Sequence, residues 1–234
     1  MIQLIFSLII YFNPSLLLVQ HSDKLSESNG ISNSDSIEYQ ILFNGRIWRN
    51  SFTSVEGSQF LLTSDFIDGT IVIDRHTFSN IKIRYDILDD EVQILKYDGN
   101  IIQVNKDRVS SFTLNYNNNL LNFRNLEMES VGSLKGFWHV LSDSKIKIFV
   151  KYRNEILPTS YTNGLPKFKQ VNNIYILKDN NVTRANKRKE LMDLFTKEYK
   201  VKINKFIRNN DIVVSKTDPE SFKQVIDYYE TITR

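Results

Sequence analysis

The densest set of side chains able to do chemistry is Asp89-Asp90-Glu91, with Asp86 just upstream. Grouped carboxylates can hold a hard cation such as Ca²⁺ through oxygen ligands, or act together as an acid and a base. The spacing of a calcium loop and its glycine are missing here, and the triplet falls between Ile87 and the run Val92-Gln93-Ile94. A hairpin turn is the simpler expectation, because Asp is favoured in turns for its local hydrogen bonding.

The histidines offer two further candidates. Asp74-Arg75-His76 follows Thr70-Ile71-Val72-Ile73, and His76 oriented by Asp65, Asp68 or Asp74 would make a general base. His139 lies in Phe137-Trp138-His139-Val140-Leu141. Strand alternation puts Phe137, His139 and Leu141 on one face, Trp138 and Val140 on the other. Both histidines are expected to be structural, one at a strand end on the surface and one hydrogen-bonded in the core. The serines of Glu56-Gly57-Ser58-Gln59-Phe60 and Val131-Gly132-Ser133-Leu134 lack the context of a nucleophile elbow. Nucleotide use has no support, since neither a phosphate-binding loop nor Gly-x-Gly-x-x-Gly occurs. The chain has no cysteine, which excludes disulfides, thiolate-bound zinc and a thiol nucleophile. His21, His76 and His139 are scattered, against a histidine-dominated metal site. No catalytic residue, metal or cofactor is therefore expected.

Charge is more informative. Between Arg184 and Arg208 lie nine basic and three acidic residues, while the whole chain carries only +3, so the remainder is net acidic. Lys187, Arg188, Lys189, Lys197 and Lys200 are the candidate contacts for an anionic surface: lipid headgroups, a polyanionic glycan or nucleic acid. A solvated helix face rich in Lys is the competing reading. Aromatic interleaving of the kind that stacks nucleobases is weak, because Phe195, Tyr199 and Phe206 fall on an apolar stripe.

Something must position these groups. The chain has 234 residues, 41 % hydrophobic and 24 % charged, with only four prolines and eight glycines, which is ordinary globular usage. Ile81, Ile83, Tyr85 and Ile87 alternate with Lys82, Arg84 and Asp86, the period of a half-buried strand. Asp98-Gly99 separates two apolar runs, a strong hairpin signal. Further strands are expected at Tyr39–Phe43, Arg46–Trp48, Phe60–Leu62, Thr70–Ile73, Phe112–Leu114, Phe137–Leu141, Lys145–Tyr152 and Asn173–Leu177, with turns at Asn44-Gly45 and Asp68-Gly69. Leu191, Leu194, Phe195, Tyr199, Ile203, Phe206 and Ile207 step at helical spacing, with a break expected near Val201 and Ile203. Asp218-Pro219 opens a last helix whose apolar face is Phe222, Val225, Ile226 and Tyr229. The expected class is α+β: a curved antiparallel β-sheet, open-barrel or sandwich-like, with a C-terminal helical appendage.

Residues 1–19 read as a signal peptide, uncharged from Ile2 to Val19 and apolar in three runs, with an uncleaved anchor as the alternative. Residues 20–36 read as a flexible spacer, 37–180 as the antiparallel β domain, and 184–232 as helices packed on it.

Gly69-Thr70-Ile71-Val72-Ile73, Ile83-Arg84-Tyr85-Asp86-Ile87 and Gly136-Phe137-Trp138-His139-Val140-Leu141 form an ordered set. Ile174-Tyr175-Ile176-Leu177, the Lys187–Phe195 segment and Val225-Ile226-Asp227-Tyr228-Tyr229 continue it. Over most of 40–232 the chain resembles a group of exported β-rich proteins of Bacteroidetes bacteria that has no assigned activity. The resemblance implies fold and export only, and the missing basic residues before the apolar run depart from the usual signal.

The leading expectation is an exported cell-envelope binding or scaffold protein, partnered by an anionic envelope component or a protein. An exported hydrolase using Asp and His residues is the first alternative. An intracellular nucleic-acid binder acting through the basic helices is the second, with nucleic acid the least expected target. The membrane is reached only through an uncleaved N-terminal segment.

Overall fold

Residues 33–129, 131–162 and 164–234 are described by a computed structural model. The signal-peptide expectation, and all but the last few residues of the spacer, lie outside them. Eleven strands run through the described residues: β1 Gly45–Ile47, β2 Ile67–Ile73, β3 His76–Asp86, β4 Glu91–Leu95, β5 Ile101–Val104, β6 Val109–Tyr116, β7 Asn119–Asn125, β8 Phe137–Asp143, β9 Lys147–Leu157, β10 Lys167–Lys178 and β11 Asn181–Arg184. They form one open antiparallel sheet in the order β1-β5-β4-β3-β2-β6-β7-β8-β9-β10-β11. Helices α1 Asn33–Leu42, α2 Arg188–Met192, α3 Lys197–Asn209 and α4 Glu220–Ile232 flank it. None is long and apolar enough to cross a membrane.

Tight turns set the register. Asp74-Arg75, Asn117-Asn118 and Asp179-Asn180 each have positive φ at two successive residues, the backbone of a type I′ hairpin. Those three turns create the β2–β3, β6–β7 and β10–β11 hairpins. Asp68-Gly69 is not a turn, as was expected, but part of β2, where the register to β3 slips between Gly69 and Ile71. A Cβ at Gly69 would collide with the Thr113 carbonyl on β6, so glycine here allows close backbone approach at a bulge.

Two expected strands have other structures. Tyr39–Leu42 is the end of α1, with Phe43 in the turn after it, and the helix also takes the last residues of the expected spacer. Tyr39 and Phe43 are one helical turn apart with ring centroids at 4.7 Å, and Ile41, Leu42 and Phe43 pack on the first core. Phe60–Leu62 lies in a strap, Arg49–Phe66, that crosses the curled sheet. Leu61 N donates to Tyr85 O (2.9 Å), Ile87 N to Gln59 O (3.0 Å) and Glu56 N to Pro166 O (2.8 Å). Its partners are backbone groups at the end of β3 and before β10, so pairing is too brief to make a strand. The helical break falls between Asp193 and Thr196, not at Val201, which lies within α3.

Among the described residues, apolar side chains gather in three clusters. Inside the curl of β2–β8, Tyr85, Phe112, Phe123 and Phe137 are about 99 % buried, with Phe112 stacked on Phe123 at 4.6 Å. Each such ring contributes about 2–3 kcal/mol by leaving water. The helices cover one face of β9 and β10, where Ile148, Val150, Ile174 and Ile176 meet Leu191, Ile203, Phe222 and Val225. Trp138, Val140 and Phe149 hold the opposite face with Leu126 and Leu134. Glu230 ties α4 to the β8–β9 turn, its Oε1 accepting from Ile146 N and Ser144 Oγ, both at 2.8 Å.

Candidate anion-binding pocket

The acidic cluster is divided: Asp86 and Asp90 have separate tasks. Asp86 accepts from the backbone N–H groups of Leu88 (3.0 Å) and Asp89 (3.4 Å) and from the Gln59 amide, as turn chemistry requires. Burial raises its pKa, against the lowering effect of Gln59. Asp90, at φ +59°, turns inward. It accepts from Tyr85 Oη (2.5 Å), Lys151 Nζ (2.7 Å) and Lys106 Nζ. Lys151 also donates to Phe137 O at 2.8 Å. Burial lowers the Lys151 pKa and the neighbouring Asp90 carboxylate opposes that. This network clamps the β3–β4 turn to β9. Among the described residues, no three His, Asp or Glu side chains converge as a metal site.

The histidines stand apart from those carboxylates. His76 is exposed with Nδ1 3.1 Å from Asp74 O, while the Asp74 carboxylate is taken by Arg108 Nε at 2.7 Å. His139 is buried, its Nδ1 3.1 Å from the Tyr152 hydroxyl, and burial lowers its pKa to about 4. It is a neutral hydrogen-bonding core residue at neutral pH, as its place in the strand suggested.

The basic segment is where side chains converge. A cavity of about 600 Å³ opens where the end of β11, the start of α2 and the segment Val214–Thr217 meet. Arg184, Lys187, Arg188 and Lys216 line it, with Glu190 as the one carboxylate of the lining among the described residues. Glu190 is already occupied, since its Oε2 accepts from the backbone N–H groups of Asn186 (2.6 Å) and Lys187 (3.2 Å) at the start of α2. Such a cap satisfies helix donors that have no partner within the helix.

Neutral amides hold the two guanidinium groups. Arg184 donates to Asn173 Oδ1 at 2.8 Å, and Arg188 to Asn204 Oδ1 at 2.7 Å. Buried Asn173 accepts Asn186 Nδ2 as well (3.0 Å), while Asn186 Oδ1 takes Ile174 N at 2.8 Å. The arginines are thus fixed in direction without their charge being cancelled. Among the described residues, none of the four cations makes an ion pair. The pocket therefore carries a surplus of positive charge, and Ser215 and Thr217 add hydroxyls to its wall. A unit anion at about 4 Å from one such cation gains roughly 1–4 kcal/mol, depending on how far water is excluded.

Of the five residues picked from the sequence, Lys187 and Arg188 line this pocket. Lys189 and Lys197 are exposed outside it, and Lys200 sits 3.4 Å from Asp193. The sequence reading missed Lys216, which only the path of the chain after α3 brings opposite Arg188. Arg184 was counted in the basic segment but not singled out. Its strand position near Asn173, two residues before its β10 partner Tyr175, was not legible from charge alone.

Fold and pocket define an α+β protein: a large open antiparallel sheet with docked helices and a cationic cavity at its β11 edge. Comparison with family models, curated proteins and solved structures gives no match.

Proposed function

We propose that the protein is an exported cell-envelope binding module whose cationic pocket engages an anionic group on an envelope component. The observation that carries this reading is the convergence of Arg184, Lys187, Arg188 and Lys216 on one cavity, with both arginines aimed by neutral amides. Preorganised guanidinium groups suit the planar or tetrahedral oxygens of carboxylate, sulfate or phosphate. The uncharged apolar run Ile2–Val19 supports export.

Titration calorimetry with dextran sulfate, and uncharged dextran as control, tests the pocket. Saturable binding to the sulfated polymer is expected, weakening steeply between about 50 and 300 mM salt as released counterions and screening dictate. Arg184→Glu combined with Lys216→Glu should weaken it at least ~10-fold, the equivalent of about 1.4 kcal/mol. Equal binding by wild type and double variant would remove the pocket from the reading. A mature chain found in the cytoplasm of its native cell with Met1 intact would remove export.

A further inference from the structure

The outer face of β1, β5, β4 and β3 carries a row of polar side chains. Arg46 is in register with Gln103, Gln103 with Gln93, and Gln93 with Arg84. Directly opposed residues share a face, so the row crosses four strands. Arg84 and Gln103 are 8 % exposed and Gln93 is wholly buried. Trp48 and the strap supply the cover over Arg84: its guanidinium carbon lies 4.7 Å from the Trp48 ring centre, 3.8 Å from Phe60 and 4.3 Å from Phe66. Arg84 Nε donates to Gln93 Oε1 at 2.9 Å. Gln93 Nε2 has no partner among the described residues. A buried unpaired amide costs about 1–3 kcal/mol, which an apolar residue at this position would avoid.

Beyond Gln93 the row reaches solvent at Gln103 and Arg46. Two adjoining cavities of about 380 and 310 Å³ share Arg46 and Gln103. Among the described residues, their walls hold three cations, Arg46, Arg49 and Lys106, and three carboxylates, Asp89, Glu91 and Asp107. The charge balances, in contrast to the pocket at β11. Gln59, Gln103 and Asn105 add groups that donate and accept, while Trp48 and Phe52 lie in the wall with little apolar surface open to the cavity.

We propose that this face is a second binding site, for an uncharged, hydroxyl-rich carbohydrate. A sugar hydroxyl donates and accepts at once, so it uses a wall in which amides, carboxylates and guanidinium groups alternate. A charge-balanced wall gives no advantage to a free anion or cation. The volumes fall at the low end of the ~300–1,000 Å³ of small-ligand sites. Asp89 and Glu91 thereby gain a role beyond turn formation that the sequence reading did not give them.

Tryptophan fluorescence of the full chain, titrated with cello-, malto-, chito-, manno- and galactotetraose, tests the proposal. At least one sugar should saturate the signal with affinity unchanged by salt, since no ion pair forms with a neutral ligand. Arg46 and Asp89 are both exposed, so Arg46→Ala with Asp89→Ala should keep the fold and weaken binding at least ~10-fold. Arg184→Glu with Lys216→Glu should leave sugar binding unchanged. The proposal falls if no sugar saturates below about 10 mM, a weak affinity by any measure. It falls equally if the Arg46/Asp89 variant binds like wild type, or if the Arg184/Lys216 variant loses the sugar.

Discussion

Acidifying the protein should weaken it through His139. The imidazole is 9 % exposed between Phe123 and Tyr152, and burial alone lowers its pKa from 6.5 to about 4. A folded value below the free one means that the native state favours the neutral ring. The corresponding stability is complete above about pH 6.5 and is lost as pH falls toward 4. The gap amounts to about 3 kcal/mol when protonation is complete, and about 2 kcal/mol of that is gone by pH 5. Asp86, Glu91 and Glu220 work the other way. Burial raises their pKa values, so their contributions grow on acidification. Comparison with His139→Asn cancels them, because Asn keeps a polar atom near the place of Nδ1 but does not titrate. Urea unfolding of both proteins between about pH 7.5 and 5 measures the difference. Wild type should lose about 2 kcal/mol more than the variant over that range. Parallel curves, or a His139 ring resonance titrating above about pH 6, would refute the reasoning.

Two other substitutions probe the fold. Asp90→Asn keeps a residue that tolerates positive φ but removes the charge facing Lys151 and Lys106; it should cost about 3 kcal/mol in urea unfolding, and a loss under about 1 kcal/mol would mean that the clamp contributes little. Phe222→Ala empties a fully buried site between α4 and the sheet and should cost about 4 kcal/mol, read by the same assay.

Strand periodicity carried most of the sheet. Ile81 to Ile87 alternates as expected, and Ile83, Tyr85 and Ile87 are buried, yet Arg84 and Asp86 on the opposite face are buried too. Alternation predicts which side chains share a face, not whether a distant strap will cover the polar one. The hairpins at Asn117-Asn118 and Asp179-Asn180 were not legible, because they turn on left-handed Asn and Asp backbone with no Asn-Gly or Asp-Gly pair to mark them. Tyr39–Phe43 is short and apolar enough to suit strand or helix, and period alone does not separate the two. Half of the cationic pocket was legible in Lys187 and Arg188. Lys216 was not, since its approach depends on how α3 and α4 pack.

The β9–β10 hairpin, paired over Lys147–Leu157 and Lys167–Leu177, has a mechanical consequence. Ile148 and Val150 belong to the core beneath the helices, and Phe149 between them belongs to the core on the other side. Tyr152 packs against both the helical core and the aromatic core within the curl. A strand that supplies wall to every core denies each of them separate melting. Heat or denaturant should meet one cooperative unit, in which loosening the C-terminal helices is felt as far as the aromatic stack of Phe112 and Phe123.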